Sequence, residues 1–365
     1  MACFMNAIAV VIFSLFGVVR GEVKVEKDDN IEPFSLLCRI YNVAKNPPIN
    51  YVDMEEGYNI VEEIDDLNTS LVEQKWVNQT EQVGDDEVTG KEHAKISVAV
   101  TKETALAQLS LNQITQSVHT VLEEIKKMKV TKKIEKTKDE FVQVIFGEGG
   151  NEDDLCHSTV KGVVNRSEAR GNPGAGTNGS HAGKNLVVDF FCLCVRSPEE
   201  EGVNQVCGFY VGIKNGVLGW NESKPMGSST MWASIKGGCG KHMHQHPKST
   251  AEARHILDQF LKHLKTGGVY RWVDGSGKVQ GSNRKEGMLG TGVGKEDDGG
   301  GPVCDGKNGK KGRGTPAGGI CVYDGPESDN WEANIAWLKK LKTALASVDA
   351  ANNQTATIQG ALQKL

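Results

Sequence analysis

The chain has 365 residues, 42 Lys and Arg against 47 Asp and Glu for a net charge of -5, 38% hydrophobic residues and 43 glycines. That length can bury one large core or two smaller ones, and the slightly acidic balance leaves no electrostatic footprint for nucleic acid. Beyond the first twenty residues no apolar run approaches the ~20 residues that a helix needs to cross a bilayer.

The chain opens MACFMNAIAVVIFSLFGVVRG, with an apolar core from Ile8 to Val19 that closes at Val19-Arg20-Gly21. This is the pattern of a cleaved secretory signal over residues 1–21, with a weak basic lead, and it is too short for a membrane anchor. Residues 22–365 are therefore expected outside the cytoplasm. Phe34, Leu37, Cys38 and Val43 mark a helix over about 31–46 that ends before Pro47-Pro48. Ile60, Ile64, Leu67 and Leu71 mark a second over about 53–75.

Thr89-Gly90-Lys91-Glu92 is a capping-box pattern that opens a third, proline-free helix over about 89–146, stopped by Gly147. Within it Ala107, Leu111, Ile114, Val118, Val121, Ile125 and Met128 recur at steps of four and three. That spacing is a coiled-coil seam, and it weakens over Thr131 to Asp139. A narrow apolar stripe with charged flanks is expected to be core rather than a cofactor or membrane face.

Residues 150–328 are a different material. Gly267 to Gly319 alone holds 18 glycines. The apolar runs Leu186 to Val195 and Val206 to Val217 predict short strands, and Ser249-Thr250-Ala251-Glu252 predicts a helix to about Lys265. Asp329-Asn330-Trp331-Glu332 then starts a final helix over about 329–363, carrying Ile335, Leu338, Leu341, Leu345, Val348, Ile358 and Leu362. The expected fold is mainly α: an elongated antiparallel helical bundle or coiled coil, with a disulfide-rich, loop-rich lobe containing short β-strands.

Export decides the cysteine chemistry. Once Cys3 leaves with the signal, Cys38, Cys156, Cys192, Cys194, Cys207, Cys239, Cys304 and Cys321 remain, an even set for which disulfides are expected. In Phe191-Cys192-Leu193-Cys194-Val195 a C-x-C pair on a strand sends its sulfurs to opposite faces, so Cys192 and Cys194 are expected to bridge different partners rather than bind metal. Cys304 and Cys321 flank a short loop and are expected to pair locally; the other pairings stay open. Six N-x-S/T acceptors agree with export: Asn68, Asn78, Asn165, Asn178, Asn221 and Asn353. Those at Asn165, Asn178 and Asn221 lie in Gly/Ser/Asn-rich sequence and are the best placed for exposure.

Three features invite a catalytic or nucleic-acid-binding reading and fall short of it. His242, His244 and His246 alternate as zinc ligands on a strand would, but Pro247 follows and no carboxylate motif completes a site. Gly290-Thr291-Gly292-Val293-Gly294-Lys295 lacks the first glycine of a phosphate-binding loop, where Leu289 stands, and Glu296 replaces its Ser/Thr; these read as loop glycines. Lys307, Lys310, Lys311 and Arg313 read as an exposed epitope. No catalytic, cofactor or metal site is expected, and the chain is not expected to be an enzyme.

LCRIYNVAKNPP (Leu37 to Pro48), FCLCV (Phe191 to Val195) and WLKKLKTALASVDAANNQTATIQGALQKL (Trp337 to Leu365) occur in that order around the cysteine-rich middle. Together they resemble the variant surface glycoproteins of African trypanosomes, specifically the B-type N-terminal domain, over residues 22–365. The resemblance implies an exported, N-glycosylated, dimeric coat glycoprotein, held on the outer face of the plasma membrane by a GPI anchor. Such proteins shield the cell from host antibodies, and replacing one variant by another evades immunity. The sequence ends at Gln363-Lys364-Leu365 without an anchor signal, so a fragment of a longer chain is expected. The competing implication is a trypanosome receptor for a host serum protein, such as transferrin or haptoglobin-haemoglobin, on the same helical design.

Overall fold

The structure, a computed structural model, describes residues 24–80, 102–163, 165–198, 202–212, 218–241, 245–273, 279–295, 301–309 and 318–364. It is mainly helical, with a disulfide-rich lobe carrying short strands. In chain order come α1 (Ile31–Lys45), α2 (Met54–Thr80), α3 (Lys102–Met128), α4 (Val130–Phe146), α5 (Arg166–Arg170), β1 (Gly171–Asn172), β2 (Thr177–Asn178) and α6 (Leu186–Cys194). Then follow β3 (Gly219–Trp220), β4 (Pro225–Met226), α7 (Ser228–Cys239), α8 (Thr250–Thr266), β5 (Gly268–Val273), β6 (Val279–Lys285), β7 (Met288–Lys295), β8 (Gly318–Tyr323), α9 (Trp331–Asn334) and α10 (Ala336–Leu362). These residues divide into two compact units, and the secretory signal read over residues 1–21 lies outside the described residues.

The helical unit takes the described parts of Ile40–Val144, Gln245–His255 and Lys339–Leu365. Val61 of α2 packs with Val118 and Leu122 of α3, and Ile64 joins them. Asp65 meets His119 at 2.9 Å and Asn68 accepts from Gln108 at 2.8 Å. Rising numbers on α2 thus meet falling numbers on α3, an antiparallel pair. At the other end of the unit, α10 holds the Pro47-Pro48 turn: Asn352 donates to Pro48 O at 2.9 Å and accepts from Asn50 N at 2.8 Å.

The single helix expected over 89–146 is interrupted. Lys129 sits between α3 and α4 at φ 50°, in the left-handed region. Its amide turns back to Lys126 O at 3.3 Å, and the ladder restarts where Lys133 N reaches Lys129 O at 3.2 Å. The break falls where the apolar seam thins. The Thr89 capping box lies outside the described residues.

The lobe takes the described parts of Met1–Arg39, Ile145–His244 and Ile256–Leu338. Its hub is α6, and the strand expected over 186–195 is corrected here to a helix whose nine residues are all buried. Asn185 caps it, accepting from Val188 N at 2.9 Å. A run apolar on every side has no period to read, so its β-branched and aromatic content misled, and burial plus the cap decided for helix. The second expected strand fails as well: residues 204–207 form turns, and 213–217 lie outside the described residues.

Strands form instead where glycine is densest. The four-stranded sheet has order β6-β5-β7-β8, with β5 and β7 parallel and both outer pairings antiparallel. The glycines at 290–294, read as a loop, belong to β7. Gly290 has φ 93°, and a Cβ there would stand 2.6 Å from Ile320 O; at Gly292 it would stand 2.6 Å from Pro302 Cβ. These glycines admit a neighbouring chain rather than a phosphate.

Candidate functional site

Two polar arrangements surround α6, and both are sealed in the lobe. On one side Arg170, at the end of α5, donates to Phe191 O at 3.3 Å and Val195 O at 2.7 Å. It thereby gives Val195 O a partner and adds a second donor to Phe191 O, which already accepts from Val195 N at 3.0 Å. Its guanidinium lies 5.2 Å from the centre of the Trp220 ring, a cation–π contact. One turn earlier Arg166 donates to Trp220 O at 2.6 Å and to Asp305 O. Asp305 in turn accepts from Lys307 N at 2.9 Å and Gly319 N at 3.0 Å. Burial, with Arg166 alongside, lowers the Arg170 pKa to about 10, which leaves it charged at neutral pH.

On the other side stands a carboxyl pair. Asp189 of α6 accepts from Gly183 N at 2.8 Å and from the Trp337 indole at 2.6 Å. Asp324, just past β8, is buried with neither carboxyl oxygen hydrogen-bonded. Burial raises the Asp189 pKa to about 7 despite those two bonds, and burial followed by repulsion from Asp189 raises that of Asp324 well above the ordinary range. The pair resembles an acid–base dyad in chemistry but not in access, because both groups are enclosed by packing. Asn30 completes the centre, donating to Leu193 O at 2.8 Å and Ile320 O at 2.7 Å, and so ties the start of α1 to α6 and β8.

The eight cysteines resolve into three bridges and two thiols. Cys38 joins Cys239 across 201 residues, Cys194 joins Cys207 across 13, and Cys304 joins Cys321 across 17. The expectation that Cys192 and Cys156 are also bridged is corrected: both are free, Cys192 buried and Cys156 exposed. On α6 the two residues of the C-x-C pair point roughly oppositely, and only the Cys194 side meets a cysteine. Cys192 faces inward near Arg170, Asp189 and Asp324, and burial pushes its thiol pKa upward. It is held as a thiol.

The glycan acceptors fall in three settings. Asn165 and Asn221 head turns in which Oδ1 accepts backbone N–H groups, from Ser167 and Glu168 at 3.0 and 3.1 Å and from Ser223 and Lys224 at 2.9 and 2.8 Å. Asn178 is exposed on β2, whereas Asn68 and Asn353 lie within α2 and α10. Asn78 is on α2, with its side chain outside the described set.

Of the histidine cluster, His246 meets Asn42 at 2.9 Å, and His242 and His244 lie outside the described residues. Lys307 is half-buried; Lys310, Lys311 and Arg313 also lie outside. No group of residues suited to hold a metal occurs among the described residues. Sequence reasoning missed Arg166, Arg170, Asp189, Asp305 and Asp324. A lone aspartate inside LVVDFFCLC was the available signal, since a charge in so apolar a run must be buried with partners or protonated.

The buried charged groups of the centre are closed inside a lobe that three disulfides staple. Among the described residues no helix is long and apolar enough to cross a membrane. A sequence profile described as the trypanosomal VSG domain matches residues 13–103 and 89–365, so the chain belongs to the trypanosome variant surface glycoprotein family, a family of surface coat proteins. No curated protein matches it.

Proposed function

We propose that this protein forms part of a dense cell-surface coat that sterically shields the parasite and, by exchange of one variant for another, evades host antibody. The observation that carries the reading is the family match across nearly the whole chain. The architecture supports it: covalent staples and buried ions hold the lobe from within, so exposed residues are free to change. The protein acts without catalysis, outside the plasma membrane, and is held there by a GPI anchor.

The coat unit is a homodimer. Leu67 on α2 and Leu106, Leu109 and Ile114 on α3 are 49–60% exposed, apolar side chains that a second copy would cover. Its glycans are carried by the six acceptors, foremost Asn165, Asn178 and Asn221 in turns and on a strand; peptide mapping with and without glycosidase checks each.

A quantitative surface-protein count on cells expressing this chain tests the coat role. The chain is expected to be the most abundant surface protein, and its depletion is expected to expose invariant proteins to antibody. A minor protein that saturably binds one host serum protein would instead be a receptor.

A further inference from the structure

In the helical unit a half-open cavity of about 620 Å³ lies at the break between α3 and α4. Its size falls within the range of small-molecule sites. Ile125, Ile134 and Ile358 reach it and are nearly fully buried, which gives it an apolar floor. Tyr51 and Tyr58 stand at the wall, 60% and 42% exposed.

The charged lining has one dominant sign. Lys126, Lys129, Lys132 and Lys138 reach the cavity, against the single carboxylate of Glu135. Lys126 is engaged by Glu123 at 3.2 Å, and Lys138 lies 5.1 Å above the Tyr51 ring. Lys129 and Lys132 have no ion-pair partner among the described residues, so their charges are available to a ligand.

We propose that this cavity binds an amphiphilic anion, a single acyl chain whose tail lies on the isoleucine floor and whose carboxylate is held by Lys129 and Lys132. A bare anion would leave the floor unused, and a neutral chain would leave two ammonium groups unpaired. The site is independent of the coat role, and either can fail without the other.

Titration calorimetry with dodecanoate below its micelle concentration tests the site on the intact exported glycoprotein. One saturable site is expected, with dodecanol and acetate each binding at least tenfold more weakly. Lys129→Gln/Lys132→Gln is expected to weaken dodecanoate at least tenfold with an unchanged melting temperature. Equal binding of dodecanol, equal binding of acetate, or full affinity in the double variant would each overturn the assignment. Binding only to vesicles containing an anionic phospholipid, with none to free dodecanoate, would overturn it too, because the source would then be a bilayer.

Discussion

The lobe and the helical unit are built on different physics. All three bridges among the described residues lie in the lobe, together with the buried arginines and the carboxyl pair. The described part of the helical unit holds no disulfide; α2 and α3 meet through Val61, Val118, Leu122 and Ile64, with polar contacts along the rim. A disulfide acts largely by restricting the unfolded chain, which does not depend on the identity of surface loops. A helix pair depends on each side chain in its seam. The lobe therefore tolerates surface change, whereas the seam does not.

The largest expected effect breaks the lobe's side of that comparison. Replacing both Cys38 and Cys239 with alanine releases a restraint spanning 201 residues and is expected to cost up to about 5 kcal/mol. The same change at Cys304 and Cys321, which span 17, is expected to cost about 3 kcal/mol. Chemical denaturation of the two variants, followed by an aromatic signal such as Trp337, measures the difference. Equal losses would remove loop length from the account.

On the other side, Leu122→Ala removes a buried side chain from the α2–α3 seam and is expected to cost about 3 kcal/mol. Hydrogen exchange should show the loss in α2 and α3, with α6 still protected. Loss of protection in α6 to the same degree would mean that the two units unfold as one.

The carboxyl pair gives a smaller, pH-dependent effect confined to the lobe. Both folded pKa values are raised, so the folded state binds more protons than the unfolded one between about pH 4 and about pH 7. The sign follows: stability is highest on the acid side of that window and falls as pH rises through it. Asp324→Asn imitates the protonated acid. It is expected to flatten the fall and, because it removes an ionisation that folding must reverse, to stabilise the protein by more than about 1 kcal/mol at pH 7.5. Melting temperatures at pH 4.5, 6 and 7.5 check it, and an unchanged slope would place the proton elsewhere.

Legibility in the sequence follows the same division. Where a helix buries one face, as at Val118, Ile125, Leu341, Leu345 and Val348, spacing alone marks the apolar stripe. Where an element is enclosed on every side, as α6 is, the pattern that distinguishes helix from strand disappears. The glycine-rich sheet was hidden for a related reason: β7 carries glycine because chain and proline lie where Cβ atoms would stand, a constraint set by tertiary contacts. Arg166 and Arg170 sit four apart in a polar stretch and look solvated until the Phe191, Val195 and Trp220 carbonyls arrive from distant positions.

The smallest effect sharpens the account of the helical unit at Lys129, whose φ of 50° costs a non-glycine residue on the order of 1 kcal/mol. Lysine also contributes charge to the cavity, so comparing it directly with glycine would mix two effects. Lys129→Ala and Lys129→Gly both remove the charge and differ in the Cβ. Glycine relieves the left-handed strain but gives the unfolded chain more freedom, which offsets part of the gain. The glycine variant is therefore expected to be more stable than the alanine variant by no more than about 1 kcal/mol. If alanine were equal or better, α3 and α4 would be joining into one helix in that variant, and loss of the cavity, read as weaker dodecanoate binding than in the equally uncharged glycine variant, would accompany it.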